Sequence, residues 1–554
     1  MYVTLICFFI TAFVFVAFGR GLVYYVARRS GDTYSFFDHF FLGLCTVGTF
    51  LNCWSLFLPT NYVALIVLIT ASLLFTYKTG VFTGNTISLL KKRKLFVFFG
   101  FLAISLTLLF ALTVPKLFDS YLYHINSILF NENYAAIPGL ANLHDRYGFN
   151  SSSFVLNAAF SFSALYNQSL YLISALSFAF FVWWILHLTV GKKGIVGIFM
   201  LIFLYYFTIQ YQQDISSPGS DLVTNILVSY LCISLIISPD GLKKKPLLFL
   251  ILPLFCITLK ISLLPVVLLS IVAVNFSRKQ IWQPALTFIY FSAAFVLPWI
   301  IKNIILSGYL IFPMEQLDFF TFDWKVPADV VAETKCYVYS WARIPYKPCQ
   351  EVLNLSLSEW WPVWWEAQQQ KQKVFFILAI ISPVTYLIYW MIARKKAFSS
   401  WFIMGAAAYA CFMLWAASAP DFRFAYSVIL LLACAPFFMI VSAFVTKPVK
   451  PLVYLSLSVT MLLLFIQGKD FLMQEYAGKQ FKDYVYLPPD AYYLKYNYRI
   501  NYNTIELKNN AGKSTDIFVP VKEYSQCYDQ FPCTPHLSPD VKLRGEDISD
   551  GFYR

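Results

Sequence analysis

Apolar runs of 16–23 residues recur along this 554-residue chain, most of them separated by short basic clusters, and no other feature constrains its fold as strongly. Runs of that length match the ~30 Å hydrocarbon core of a bilayer. Lipid offers the backbone no hydrogen-bond partner, so each run must be helical. The composition agrees: 59% apolar and 13% charged residues leave too little charge to cover a soluble surface. In a soluble protein the net charge of +13 would point to nucleic acid. Here the Lys and Arg sit between apolar runs, with no basic stripe interleaved with aromatics, which reads as a topology signal and argues against nucleic-acid binding.

The basic clusters fix an expected orientation, because cytoplasmic loops accumulate Lys and Arg. Arg28–Arg29, Lys91–Lys92–Arg93–Lys94, Lys192–Lys193, Lys243–Lys244–Lys245, Arg278–Lys279, Arg394–Lys395–Lys396 and Lys447/Lys450 are assigned to the cytoplasm. Counting spans between them gives about 14 helices, near 3–19, 37–58, 61–77, 95–114, 169–190, 195–210, 222–238, 247–259, 261–276, 283–303, 374–392, 400–417, 427–445 and 452–467. Both termini then lie outside. The run 247–276 has basic residues at both ends, so it reads as a hairpin of two short helices with Lys260 near its outer tip. The first run lacks a basic leading region and a small-residue cleavage site, and reads as an uncleaved helix rather than a signal peptide. The expected fold class is therefore an all-α polytopic membrane protein, residues 1–467, with large extracytoplasmic loops 115–168 and 304–373. A small mixed α/β extracytoplasmic domain, 468–554, follows. It carries the extended-looking stretches Tyr484–Val485–Tyr486 and Asp516–Ile517–Phe518–Val519.

The cysteines test this topology. Seven of the 11 fall inside apolar runs, where a thiol is packing. Cys336, Cys349, Cys527 and Cys533 fall in segments placed outside, as two close pairs. Disulfides belong to oxidising compartments, so Cys336–Cys349 and Cys527–Cys533 are expected to be bridged. Zinc is the alternative, disfavoured because neither spacing is C-x2-C and no His adjoins either pair.

Ionisable residues beside a bilayer usually face a functional cavity. Four places stand out. The first follows the fourth helix: Phe118-Asp119-Ser120-Tyr121-Leu122-Tyr123-His124, with Glu132 and the run His144-Asp145-Arg146-Tyr147-Gly148-Phe149-Asn150-Ser151-Ser152 downstream. If helical, Asp119 and Tyr123 share a face. A solvated loop is the plainer reading, but it does not explain so many carboxylate, imidazole and guanidinium groups together. The second is Ser217-Pro218-Gly219-Ser220-Asp221, where Asp221 is a helix cap or a ligand. The third is Lys260, either snorkelling to the interface or facing a site. The fourth is Pro420-Asp421-Phe422-Arg423-Phe424, where Arg423 makes a surface pair with Asp421 or forks onto a phosphate. All four fall on the same expected side, which suggests a reaction there on an anionic, lipid-linked substrate.

Asp119 in the first large outer loop, together with Pro298–Pro313, resembles the GT-C glycosyltransferases. More closely, Asp119…Tyr123-His124, Pro138-Gly139-Leu140-Ala141-Asn142-Leu143-His144, Arg146, Gly148-Phe149-Asn150-Ser151, Ser217-Pro218…Asp221, Lys260, Ala419–Phe424 and the tail Cys527…Cys533-Thr534-Pro535 with Arg544-Gly545 resemble an uncharacterised family of polytopic proteins from bacterial surface-polysaccharide loci. The GT-C resemblance implies a sugar moved from a polyprenyl-phosphate-linked donor to a glycan or lipid-linked acceptor, on the outer face of the bacterial cytoplasmic (inner) membrane. Asp119 matches the loop carboxylate that acts as general base. His124, His144 and Asp145 are further catalytic candidates. Tyr123, Arg146, Asp221, Lys260 and Arg423 are candidates for substrate and phosphate binding. The chain departs from the best-known members in placing about three helices before the carboxylate loop rather than one, which bears on the equivalence of Asp119. A divalent metal, Mg2+ or Mn2+, held by Asp119 with Glu132 or Asp221 is left open. No G-x-G-x-x-G or Walker motif points to a nucleotide site. The rival readings are a polysaccharide polymerase or ligase, and a flippase or transporter of lipid-linked saccharides. Transporters tend to carry internal repeats and midplane charges, and neither is evident here.

Overall fold

The computed structural model describes residues 1–27, 33–79, 94–166, 169–191, 194–276, 284–393, 398–445, 450–476, 501–522, 526–527 and 530–554. Arg28–Arg29, Lys91–Lys92–Arg93, Lys192–Lys193, Arg278–Lys279, Arg394–Lys395–Lys396, Lys447 and Tyr484–Val485–Tyr486 lie outside the described residues.

The chain opens with α1 (Tyr2–Leu22), α2 (Phe36–Trp54), α3 (Tyr62–Thr79) and α4 (Lys94–Ala111). A first long connection carries α5 (Ile125–Asn133) and α6 (Ser152–Ala159). Then come α7 (Ile173–Gly191), α8 (Ile195–Tyr211), α9 (Asp221–Ile237), α10 (Pro246–Leu259), α11 (Leu268–Phe276) and α12 (Pro284–Ser307). A second long connection carries α13 (Ala328–Trp341) and α14 (Leu357–Ala367), before α15 (Gln370–Ala393), α16 (Phe398–Ser418), α17 (Phe422–Phe444) and α18 (Lys450–Tyr476). All the expected spans are helical to within a few residues, except that the last runs on to Tyr476. Among the described residues ten helices are long and apolar enough to cross a membrane: α1, α2, α3, α4, α7, α12, α15, α16, α17 and α18. Helices α8, α9 and α10 and the segment Ile261–Asn275 are apolar but shorter.

Local sequence explains the packing. Gly19 and Gly43 bring α1 and α2 backbone to backbone: a Cβ at Gly19 would overlap the His39 carbonyl, and one at Gly43 the Phe15 carbonyl. Helix α10 is apolar on every face, and α9 and α10 are both almost wholly buried, as central helices must be. Lys260 is extended (φ −157°, ψ 114°) and ends α10. The chain reverses there, so that the Ser270 hydroxyl meets the Leu250 carbonyl at 2.9 Å. This is the expected hairpin, with Lys260 at its turn.

The described part of the C-terminal segment is small and extended. β1 (Tyr502–Lys508) pairs antiparallel with β2 (Ser514–Pro520), and β3 (Lys542–Leu543) with β4 (Phe552–Tyr553). Its apolar side chains Leu507, Ile517, Leu543 and Phe552 share one core with Phe130, Ile137, Leu143, Tyr147 and Leu306. The Tyr147 hydroxyl donates to the Cys533 carbonyl at 2.6 Å, and the Phe552 amide to the Pro138 carbonyl at 3.0 Å. The segment is thus seated on the first long connection and the end of α12.

Candidate functional site

Arg423 is the hub of the site. Its Nη2 donates to Asp119 Oδ2 at 2.9 Å, while its Nε lies 3.4 Å from Asp421 Oδ2 and 3.9 Å from Asp221 Oδ2. The other Asp221 oxygen takes Lys260 Nζ. Lys260 Nζ stands 3.4 Å from the centre of the Phe424 ring, a cation–π contact. The four places singled out in the sequence, separated by up to 304 positions, therefore form one chain of contacts. The side chains of Asp119, Asp221, Lys260 and Arg423 keep 16–29% of their surface, enough to meet a ligand.

Each member is fixed by its own backbone. Asp421 caps α17, its side chain accepting from the Arg423 amide at 3.0 Å. The carbonyls of Pro420 and Asp421 take the indole N–H groups of Trp364 (2.8 Å) and Trp415 (2.7 Å). Asp119 precedes a π-turn, Ser120–His124, that runs into α5. The Ser120 and Ser217 hydroxyls, 2.9 Å apart, tie it to the turn before Asp221. Ser153 Oγ in turn donates to the Pro218 carbonyl at 3.1 Å. At Lys260, Ser151 Oγ donates to the neighbouring Leu259 carbonyl at 3.1 Å.

Tyr123 and His124 stand behind Asp119, their rings 4.3 Å apart. Burial pushes His124 down to about 4, against the pull of Asp119 and Asp221, so it is neutral at pH 7. Its Nδ1 is buried without a hydrogen-bond partner, beside Gly219, where a Cβ would come within 3.2 Å of the ring. Burial raises Asp119, but the surrounding positive charge, Arg423 foremost with Arg146 beyond it, and the Arg423 hydrogen bond together outweigh it, so the carboxyl sits below the usual range. Arg146 lies over the Tyr123 ring at 5.8 Å, and no described carboxylate pairs with it. Two cations (Lys260, Arg423) thus pair with three carboxylates (Asp119, Asp221, Asp421), and Arg146 stands over the neighbouring Tyr123.

Asp214 was not singled out in the sequence. It is 8% exposed, and burial together with the Asp221 charge raises its pKa to about 8. It is therefore a neutral acid beside the cluster at pH 7.

His144 and Asp145 do not join Arg423. His144 Nδ1 accepts the Arg146 amide at 3.1 Å and faces Asp145, and Asp145 Oδ2 takes the Thr334 hydroxyl of α13 at 2.7 Å. Burial pushes His144 down to about 4, so it too is neutral at pH 7. They join the two long connections instead. Both expected cysteine pairs are at bridging distance, with Cα–Cα 5.6 Å for Cys336–Cys349 and 6.0 Å for Cys527–Cys533.

The donor set does not suit Mg2+ or Mn2+. Asp119 and Asp221 already share Arg423. Glu132 is taken by the hydroxyls of Ser161, Ser163 and Ser169. Among the described residues no three His, Cys, Asp or Glu side chains gather as metal ligands.

No curated protein and no solved structure matches the chain. A family model described as a domain of unknown function, DUF8201, matches residues 1–430. That range takes in every residue of the Arg423 cluster and stops before the C-terminal segment. The chain belongs to the DUF8201 family.

Proposed function

We propose that this protein is a membrane glycosyltransferase, moving a sugar from a polyprenyl-phosphate-linked donor to a glycan or lipid-linked acceptor on the outer face of the bacterial cytoplasmic membrane. The observation that carries the reading is the meeting of Asp119, Asp221, Lys260 and Arg423 in one partly open cluster. Such a cluster matches the needs of the reaction. The acceptor hydroxyl attacks the anomeric carbon, the bond from that carbon to the phosphate oxygen breaks, and the hydroxyl proton passes to Asp119. The departing lipid phosphate needs cations, and Arg423 and Arg146 stand within the site to receive it. With Asp119 bound to Arg423 the carboxylate is a weak base. A donor phosphate that draws Arg423 toward itself restores that basicity, so the base is active only with donor in place.

Two observations support the location. Helices α9 and α10, with 17 and 14 residues, reach only about 26 and 21 Å at ~1.5 Å per residue, short of the ~30 Å core. Asp221 and Lys260 at their ends are then recessed at the rim of a bundle of about 14 spans. The cysteine pairs suit an oxidising compartment, and Cys527 donates its amide to the Tyr121 carbonyl at 3.1 Å, two residues from Asp119.

The test is to offer purified protein a panel of polyprenyl-phosphate sugars with glycan acceptors. Release of polyprenyl phosphate from one donor, abolished by Asp119→Asn, is the expected result. Movement of an intact lipid-linked saccharide across vesicles, with no bond broken, would replace this reading by a flippase.

A further inference from the structure

The helices that carry the Arg423 cluster at one end frame a second feature at the other. A cavity of about 1190 Å³ runs between α1, α2, α4 and α7 and reaches Arg20, Tyr34, His39 and Lys245. Helix direction separates the two. Asp221 opens α9, whereas the cavity wall takes Tyr230, Ser234 and Ser238 from its far end. Lys245 precedes α10 and Lys260 follows it. The 14 residues of α10 between them span about 21 Å at ~1.5 Å per residue.

The walls are apolar and largely aromatic, with Phe8, Phe13, Phe96, Phe180 and Trp183 among them. Along α1 and the π-turn that continues it, the lining runs from Phe8 to Tyr24, about 24 Å at ~1.5 Å per residue. The end of the groove is cationic. Arg20 donates to the Thr79 carbonyl at 3.0 Å, and no described carboxylate pairs with it. Lys245 holds Asp38 at 2.6 Å, and the same carboxylate also takes the Tyr230 hydroxyl and the Ser35 amide. Lys78, Lys94 and Lys244 lie at this end of the helices too, so among the described residues this end carries more cations than carboxylates.

We propose that this groove holds one anionic glycerophospholipid, its acyl chain along α1 and its phosphate between Arg20 and Lys245. An apolar slot as long as an acyl chain, closed at one end by unbalanced positive charge, is complementary to that molecule. The sugar carrier does not fit the place: its phosphate would rest at the wrong end of α10 to reach Asp119. The exclusion of the carrier rests on the glycosyltransferase reading; the fit of an anionic phospholipid to the groove does not.

The experiment uses the full chain, delipidated in detergent and titrated with dioleoylphosphatidylglycerol, dioleoylphosphatidylcholine or undecaprenyl phosphate. Native mass spectrometry reads the bound lipid. One phosphatidylglycerol per chain is expected, bound ~10-fold more weakly in Arg20→Gln, the scale of one charge-assisted hydrogen bond. Arg20→Lys should retain it, and Ala12→Trp, which fills the slot, should exclude it. If Ala12→Trp does not fold, the Arg20 pair decides alone. Equal binding of phosphatidylcholine, or unaltered binding by Arg20→Gln, overturns the proposal. Preferred capture of undecaprenyl phosphate overturns the occupant.

Discussion

Asn225 Oδ1 accepts both polar hydrogens of Ser427, the amide at 3.2 Å and the hydroxyl at 2.6 Å, and so replaces a carbonyl that α17 has turned away. The helix breaks at Ala425 (φ −139°, ψ 22°). In an unbroken helix the Ser427 amide would bond to the Arg423 carbonyl. That carbonyl instead takes the Tyr211 hydroxyl at 2.9 Å. Both groups freed by the kink are thus satisfied by side chains from other helices, and Arg423 is aimed at Asp119 as a result.

Asn225→Ala leaves the Ser427 amide buried and unpaired, a cost of about 1–3 kcal/mol. Ser427→Ala removes only the hydroxyl and should cost less. Thermal unfolding in detergent should rank them in that order. An Asn225→Ala protein that melts like wild type would mean the kink is not held this way.

The charge-rule topology makes a second prediction. Single cysteines placed within 125–150 or 315–360 should react with an impermeant thiol reagent added to intact cells. Cysteines within 85–94 should react only after permeabilisation. Labelling of 85–94 from outside would invert the orientation and move the Arg423 cluster to the cytoplasm.

Much of this was legible in the sequence, because hydropathy decides where lipid-facing helices lie. The four polar places were visible for a related reason: charge beside a bilayer is costly and stands out. What hydropathy cannot show is burial by distant parts of the chain. Asp214 follows Gln212-Gln213 at a helix end and reads as a surface residue. The charges that act on it there come from Asp221, Arg423, Lys260 and Asp421, most of them distant in sequence. The Ala425 kink has no Gly or Pro at the break, since its causes, Tyr211 and Asn225, lie about 200 positions upstream. His144 and Asp145 adjoin Arg146 in sequence, yet the short turn Asp145–Gly148 directs Asp145 to Thr334, with His144 against Asp145.

Asp214 makes stability depend on pH. Its folded pKa of about 8 lies above the ordinary value of 3.8, so the folded state binds the proton more tightly than the unfolded state. Its contribution is complete below about pH 4 and is lost as pH rises to about 8. Asp214→Asn stays neutral throughout. Melting temperatures from pH 5 to 9 should therefore fall less for Asp214→Asn than for wild type. Parallel curves would show that Asp214 does not hold a proton in the folded protein.

The Cys336–Cys349 bridge bears on the site through Arg343, which lies within its loop. Arg343 donates Nη1 to the Ser418 carbonyl at 2.9 Å and Nη2 to the Ala417 carbonyl at 3.0 Å, just before the Arg423 turn. A bridge across 13 positions contributes ~3 kcal/mol in the chain-entropy model. The Cys527–Cys533 loop spans 6 positions and should contribute less. Non-reducing peptide mapping should find both bridges, and reduction should lower the melting temperature chiefly through the first. Free thiols at all four positions would remove this brace and weaken the topology with it.

The catalytic prediction separates base from phosphate receptor. Asp119→Asn keeps the shape and removes the proton acceptor, so turnover should fall ~10²-fold or more while donor binding changes little. Arg423→Ala should raise the KM for donor, because it removes a cation from the departing phosphate. It also leaves Asp119 and Asp221 without their shared partner, so folded protein must be measured beside activity. Arg423→Lys keeps the charge but loses the fork, and should fall between the two. The pH profile gives an independent check. Asp119 is held below the usual carboxylate range, so the acid limb of the free enzyme should lie lower than for an ordinary aspartate. In Arg423→Lys that limb should move toward higher pH, as the carboxylate loses its close guanidinium. A well-folded Asp119→Asn protein with near-normal turnover would end the assignment. Asp221 would then be tested next, since it also contacts Arg423 and Lys260, whereas Asp145 is committed to Thr334.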